Sequence, residues 1–255
     1  MAFGASLQNG TALVVGATQG IGLGFVNQLL ADGRIQQVYG TYRNPETAQA
    51  LMTLAEHAPG LTCLPMNVTD ERSIAAAIEK IQHQSERLDL VIYCVGILHD
   101  GDFQPEKSLR QLDADQLLRS FQVNAIGAGL LAKHLLPLLK HEHPNVLAAI
   151  SAKIGSIGDN RLGGWYGYRA SKAALNMLMK TASVEYSRKS PNTIIALLHP
   201  GTTDTGLSKP FQRGVPPEKL FPVERTTSQL MAVIGGLEST DSGEFFNWDG
   251  SRLPW

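Results

Sequence analysis

Tyr168 and Lys172 stand four residues apart in Tyr-Arg-Ala-Ser-Lys. On a helix that spacing puts both side chains on one face. An ammonium beside a phenol favours the phenolate, so the pair predicts a tyrosine able to exchange a proton near neutrality. A second candidate is the run Gly16-Ala17-Thr18-Gln19-Gly20-Ile21-Gly22, which follows a short apolar stretch and opens a helical one. Glycines there allow a tight turn and let a pyrophosphate reach free N–H groups at the helix N-terminus. Gly16, Thr18, Gln19, Gly20, Ile21 and Gly22 are the candidate cradle, although the Gly-x-x-x-Gly-x-Gly spacing is one residue wider than the better-known dinucleotide fingerprint. The third candidate is Arg43, closing Thr41-Tyr42-Arg43. A carboxylate there would bind the ribose hydroxyls of NAD, whereas an arginine pairs with the 2′-phosphate of NADP. The next carboxylate is Glu46, so NADP(H) is expected over NAD(H).

The elements that must position these groups alternate along the chain. Strands are expected at Thr11 to Val15, Val38 to Tyr42, Leu61 to Met66, Leu88 to Val95, Val146 to Ile150, Ile194 to Leu198 and Glu244 to Asn247. Helical periodicity appears at Ile21 to Leu30, from Pro45, around Ile74 to Ile81, and at Thr226 to Leu237. Two long helices are expected, one from about Leu109 to His141, broken near its middle and bent at Pro137, the other containing Tyr168 and Leu175 to Val184. Strand–helix alternation implies right-handed crossovers. The fold class is therefore α/β: a Rossmann-type, doubly wound parallel sheet of about seven strands with helices on both faces.

With 255 residues, 43% hydrophobic and 18% charged, one large core is affordable without metals or disulfides, and residues 1–255 read as a single domain. A net charge of -1 argues against a nucleic-acid binder. Cys63 and Cys94 form no zinc pattern and read as reduced thiols. Neither a secretion signal nor a membrane span is expected, and the location expected is cytoplasmic. His141 and His143 lie on different helical faces, so no metal site is expected. His99-Asp100 falls in a loop near the site mouth, where a substrate-lining role is open.

The chain resembles the short-chain dehydrogenase/reductase family over essentially its whole length. Gly16, Gly20 and Gly22 match the family's glycine loop, with Val15 where a threonine is usual, and Tyr168 and Lys172 match its Tyr-x-x-x-Lys motif. The resemblance implies that Asn124, in Phe-Gln-Val-Asn-Ala, helps hold a proton-relay water. It implies that Asn67-Val68 meets adenine, and that Pro200, Gly201, Thr203 and Thr205 lie at the nicotinamide. Of the family's Asn-Asn-Ala-Gly only Gly96 remains, in Tyr93-Cys94-Val95-Gly96. Gly155-Ser156-Ile157, Trp165 to Lys172, Trp248-Asp249-Gly250 and Pro254-Trp255 are similar to its C-factor and sniffer-like carbonyl reductases.

One position departs from the pattern. The family's carbonyl-polarising serine falls at Ala152, between Ser151 and Ser156. Ser151 is expected to point away by the strand pleat, and Ser156, twelve residues before Tyr168, is the nominated donor. The resemblance implies hydride transfer between a nicotinamide and an aldehyde, ketone or alcohol, with Tyr168 as acid/base, Lys172 holding the nicotinamide ribose and lowering the Tyr168 pKa, and both residues bordering the cofactor. Residues 203–225 are expected to form a substrate lid, and the two long helices to build a homodimer or homotetramer. The competing reading, kept open by Ala152, is a non-catalytic dinucleotide-binding redox sensor or signalling protein.

Overall fold

The computed structural model describes residues 2–255. Its first half comprises α1 (Phe3–Ser6), β1 (Gly10–Val15), α2 (Gly20–Ala31), β2 (Ile35–Tyr42), α3 (Gln49–His57), β3 (Leu61–Pro65), α4 (Glu71–Gln84) and β4 (Leu90–Tyr93). There follow α5 (Ala114–Phe121), α6 (Gly127–Leu139), β5 (Asn145–Ile150), α7 (Tyr166–Lys189) and β6 (Thr193–His199). The chain closes with β7 (Thr202–Thr203), β8 (Leu220–Phe221), α8 (Val223–Gly236) and β9 (Glu244–Asn247).

Seven strands form one parallel sheet in the order β3-β2-β1-β4-β5-β6-β9. The winding reverses between β1 and β4, opening a crevice at the carboxyl ends of those strands, where ligands of doubly wound sheets bind. All residues of β4 and β5 are buried, as expected of central strands covered on both faces. The pleat divides the core in two. Leu13, Val91, Leu147 and Leu197 face the layer of α4, α6 and α7, while Val14, Ile92, Ala148 and Leu198 face that of α2 and α8.

Several boundaries differ from the sequence reading, each for a local reason. The helix expected from Leu109 begins at Ala114, because Asp113 caps it by accepting the Gln116 N–H at 2.9 Å. The expected break is a π turn over Gln122–Ile126, and the Tyr93 hydroxyl donates to the Val123 carbonyl at 3.0 Å. Pro137 stays inside α6 near its end. The helix expected from Pro45 is a single 3₁₀ turn, Pro45–Thr47, capped by Asn44, before α3. Two features went unforeseen. α1 docks on α8, the Phe3 N–H donating to the Leu237 carbonyl at 2.9 Å. β7 and β8 pair, tying together the base of the segment between them. Among the described residues no helix is long and apolar enough to cross a membrane.

Candidate active site

At the end of β1 the backbone turns through Gly16, with φ +84°, and enters α2 at Gly20, with φ +52°, both left-handed conformations that favour glycine. A Cβ on Gly22 would stand 2.0 Å from the Gly16 carbonyl oxygen, so only glycine lets the helix start fold back on the turn. Thr41 of β2 braces the loop from below, its hydroxyl accepting the Gly16 N–H at 3.1 Å and its carbonyl the Ala17 N–H at 2.9 Å. No side chain caps α2 at Gln19 and its first turn, from Gly20 and Ile21, holds no acidic residue, so the N–H groups at this helix start, next to Thr18, have no competing anion. These residues fit a pyrophosphate.

Around that loop stand the other residues singled out from the sequence. Arg43, directly after β2, is exposed and makes no ion pair among the described residues. Asn67 is half-buried, its carboxamide oxygen taking both the Thr69 N–H and hydroxyl; Val68 is buried beneath α6, where a Cβ on Gly127 would meet its carbonyl. From the far side Thr205 comes against Gly20, whose Cβ would lie 3.1 Å from the Thr205 methyl. Gly201, at φ +71°, lies where a Cβ would collide with Phe221, and the Thr203 hydroxyl bonds that of Thr226 at 2.9 Å, fixing the turn behind Pro200.

Tyr168 and Lys172 lie within the first two turns of α7, with the ammonium 5.9 Å from the tyrosine ring centroid. Lys172 is buried and donates to the Ile150 carbonyl at 2.9 Å, at the end of β5. Burial brings its pKa down to about 8. A Cβ on Gly155 would lie 2.8 Å from the Lys172 Cβ, so the bare glycine lets the loop after β5 press against α7. Burial also pushes the Tyr168 phenol above its ordinary value, the opposite of the lowering expected from Lys172 alone.

Asn124 is fully buried in the π turn. Its carboxamide accepts the Ile97 N–H at 2.7 Å, donates back to the Ile97 carbonyl at 2.9 Å, and donates to the Ser171 hydroxyl at 2.9 Å. Ser171 in turn donates to the Tyr168 carbonyl at 3.0 Å. Asn124 thus clamps the loop after β4 to α7. Gly96 sits in the gap between: its Cβ would lie 3.4 Å from the Asn124 Oδ1 and 3.5 Å from the Lys172 Nζ.

The two serines take different partners, Ser151 directly after β5 and Ser156 beyond the 3₁₀ turn Lys153–Gly155. Ser151 faces α7 and donates to the Asn176 Oδ1 at 2.6 Å. The Ser156 oxygen accepts the Asp159 N–H at 3.1 Å, which leaves its own hydrogen to be donated. Ala152 between them offers only a methyl group.

Sequence reasoning passed over Glu106. Its carboxylate, buried, accepts the Gly167 N–H at 3.0 Å, and its carbonyl accepts the Trp165 N–H at 2.5 Å. It caps α7 from a loop distant in sequence, directly ahead of Tyr168. Nothing in the polar run His99 to Lys107 distinguishes this glutamate from its neighbours.

The model of the short chain dehydrogenase family matches residues 10–215. The 1-hydroxy-2-glutathionyl-2-methyl-3-butene dehydrogenase of Rhodococcus sp. strain AD45 is 30% identical over 246 residues, covering 96% of this chain and 99% of that one. The NADPH-bound carbonyl reductase from chicken fatty liver superposes with a TM-score of 0.87 at 31% identity, covering 98% of this chain and 100% of that one. The carbonyl reductase Sniffer of D. melanogaster gives 0.85 at 27% identity, over 97% of this chain and 100% of that one. With a glycine cradle at the sheet's crevice and a tyrosine–lysine pair beside it, the chain belongs to the short-chain dehydrogenase/reductase family and is an NAD(P)-dependent oxidoreductase.

Proposed function

We propose that the protein is an NADP(H)-dependent carbonyl reductase acting on a small aldehyde or ketone. The observation that carries this reading is the buried Lys172 ammonium, held by the Ile150 carbonyl one turn beyond Tyr168. A buried lysine without a carboxylate partner destabilises a fold and marks a functional site.

When bound, the reduced dinucleotide supplies a hydride to the carbonyl carbon. Tyr168, kept protonated by burial, gives its hydroxyl proton to the carbonyl oxygen. The Lys172 ammonium stabilises the phenolate left behind. Ser156 donates a hydrogen bond to the oxygen as negative charge develops. Asn124 positions Tyr168 and Lys172; because both its amide hydrogens are engaged, a relay water at this point leans on Lys172 and backbone carbonyls. Gly16, Thr18, Gln19, Gly20, Ile21 and Gly22 bind the pyrophosphate and Arg43 the 2′-phosphate, which favours NADP(H). Asn67 and Val68 border the adenine, and Gly96, Pro200, Gly201, Thr203 and Thr205 the nicotinamide end.

In this reading residues 1–255 act as one dinucleotide-binding domain and 203–225 close over the substrate. Exposed Leu118, Ile126, Met177, Leu178 and Val184 on the α5, α6 and α7 layer form a homodimer or homotetramer contact. The free thiols Cys63 and Cys94 suit the cytoplasm. Ala152 is the observation that favours the second reading, a non-catalytic redox sensor. NADPH consumption with aldehydes, diketones and quinones, run beside Tyr168→Phe, separates the two: turnover lost in the variant supports the reductase. Confirmed NADPH binding without turnover across the panel supports the sensor.

A further inference from the structure

Three rings converge beside Tyr168. Trp165, three residues ahead of it, presents its ring edge-on with centroids 6.4 Å apart and planes at 73°. Phe211, in the turn Lys209–Gly214 between β7 and β8, meets Trp165 edge-on at 4.8 Å and 62°. His99, in the loop after β4, meets Phe211 at 5.7 Å and 65°. Phe211 is half-buried while Lys209, Pro210, Arg213 and Gly214 around it are exposed, so this turn directs its one large apolar ring inward.

The frame around Phe211 is held by backbone contacts. Gly163, Gly164 and Trp165 are all left-handed, with φ +64°, +67° and +52°, and the Trp165 N–H is tied to the Glu106 carbonyl. The Trp165 backbone is therefore held before any ligand arrives, which lowers the entropic cost of placing its indole against a ring. His99 Nε2 hydrogen-bonds the Gly206 and Leu207 carbonyls at 3.1 and 3.2 Å, holding the near end of the same segment.

We propose that Phe211 stands in for part of the substrate: the site takes carbonyl compounds bearing an aryl group, whose ring displaces Phe211 and takes over its edge-to-face contact with Trp165. The inference rests on the reading of Tyr168 as the group that meets the carbonyl oxygen, since Trp165 then borders the carbonyl's substituent. One ring replaces another against the indole, so opening the segment gives up the edge contact of Phe211 with His99 but not the one made with Trp165. A saturated ring of the same size offers apolar area without the ring quadrupole that an edge-to-face pair uses.

The test compares 1-phenylethanol and 1-cyclohexylethanol, titrated calorimetrically into the NADPH-saturated protein. An alcohol and a reduced dinucleotide cannot react, so binding is read without chemistry. The phenyl alcohol is expected to bind about three- to tenfold more tightly, although the cyclohexyl alcohol is the more hydrophobic. Trp165→Ala removes the preference, Trp165→Phe retains it, and Phe211→Ala tightens the phenyl alcohol. Equal or tighter binding of the cyclohexyl alcohol overturns the proposal, as does a preference that survives Trp165→Ala. Weaker phenyl binding in Phe211→Ala would show that Phe211 is a wall of the pocket, and overturns it too. Acetophenone turnover, lost in Tyr168→Phe while the alcohols still bind, tests the proton-donor reading separately.

Discussion

The Glu106 carboxylate accepts the Gly167 N–H 3.0 Å away, bridging 61 residues of sequence to cap the helix that carries Tyr168 and Lys172. A Cβ on Gly167 would lie 2.9 Å from the Glu106 Oε1 and 3.2 Å from the Ser120 Oγ, so glycine is required for the carboxylate to reach the backbone. Glu106→Ala leaves a buried N–H without a partner and should lower the unfolding free energy by about 1–3 kcal/mol. Glu106→Gln keeps an acceptor oxygen and should recover most of that loss. Urea denaturation of the two variants checks this, and equal stability in all three proteins would remove Glu106 from its role.

Tyr168→Phe removes the proposed proton donor and little volume. Turnover with any accepted carbonyl should fall at least about a hundredfold, with NADPH affinity unchanged in fluorescence titrations. Activity within a few-fold of the parent would mean that the proton comes from elsewhere.

Lys172 links function to stability with a definite sign. Its pKa in the fold is drawn down to about 8, against roughly 10.4 for a free lysine. Between those values the unfolded chain binds more protons than the folded one, so stability rises with pH across that window. Below pH 8 the burial penalty is present in full. Lys172→Met should therefore raise the melting temperature at pH 7, by an increment that shrinks towards pH 10, while abolishing reduction. A variant less stable than the parent at pH 7 would contradict this.

Arg43 should decide between dinucleotides. Arg43→Ala is expected to lower kcat/KM for NADPH about 10- to 100-fold and to leave that for NADH nearly unchanged. Steady-state kinetics with both cofactors measure it. Equal losses would place Arg43 outside the 2′-phosphate site.

Ser156 and Ala152 are tested as a pair. If Ser156 polarises the carbonyl, Ser156→Ala should reduce kcat by about 10²-fold or more, and Ala152→Ser should restore part of it in the double variant. An unaffected kcat in Ser156→Ala would identify its hydroxyl as a loop contact to Asp159.

What could be read from sequence was local. The apolar runs of β4 and β5 and the spacing of Gly16, Gly20 and Gly22 carry their meaning within a few residues, so the strands, the sheet class and the tight glycine turn into α2 were legible. Glu106 was not, because its importance comes from a partner far along the chain. The left-handed Trp165 follows from two preceding glycines and a carbonyl supplied by another loop. The Tyr168 pKa was misjudged in direction for a similar reason: spacing reveals the neighbouring ammonium, but only the packed fold reveals how much water is excluded. β7 and β8, two residues each, are too short to show any alternation.

The π turn at Gln122–Ile126 also sets a phase. One residue advances an α-helix by about 100°, so the extra residue in the wide turn rotates α5 relative to α6 by that amount. Leu117 and Ser120 of α5 meet Gly167 at the start of α7, while α6 is tied to the same helix through the Tyr186 hydroxyl and the Ala132 carbonyl. Deleting Val123 would let an ordinary helix run through. It would swing Leu117 and Ser120 off α7 while leaving every residue of the catalytic set in the chain. The protein's activity is in this sense a matter of angular register as much as of composition.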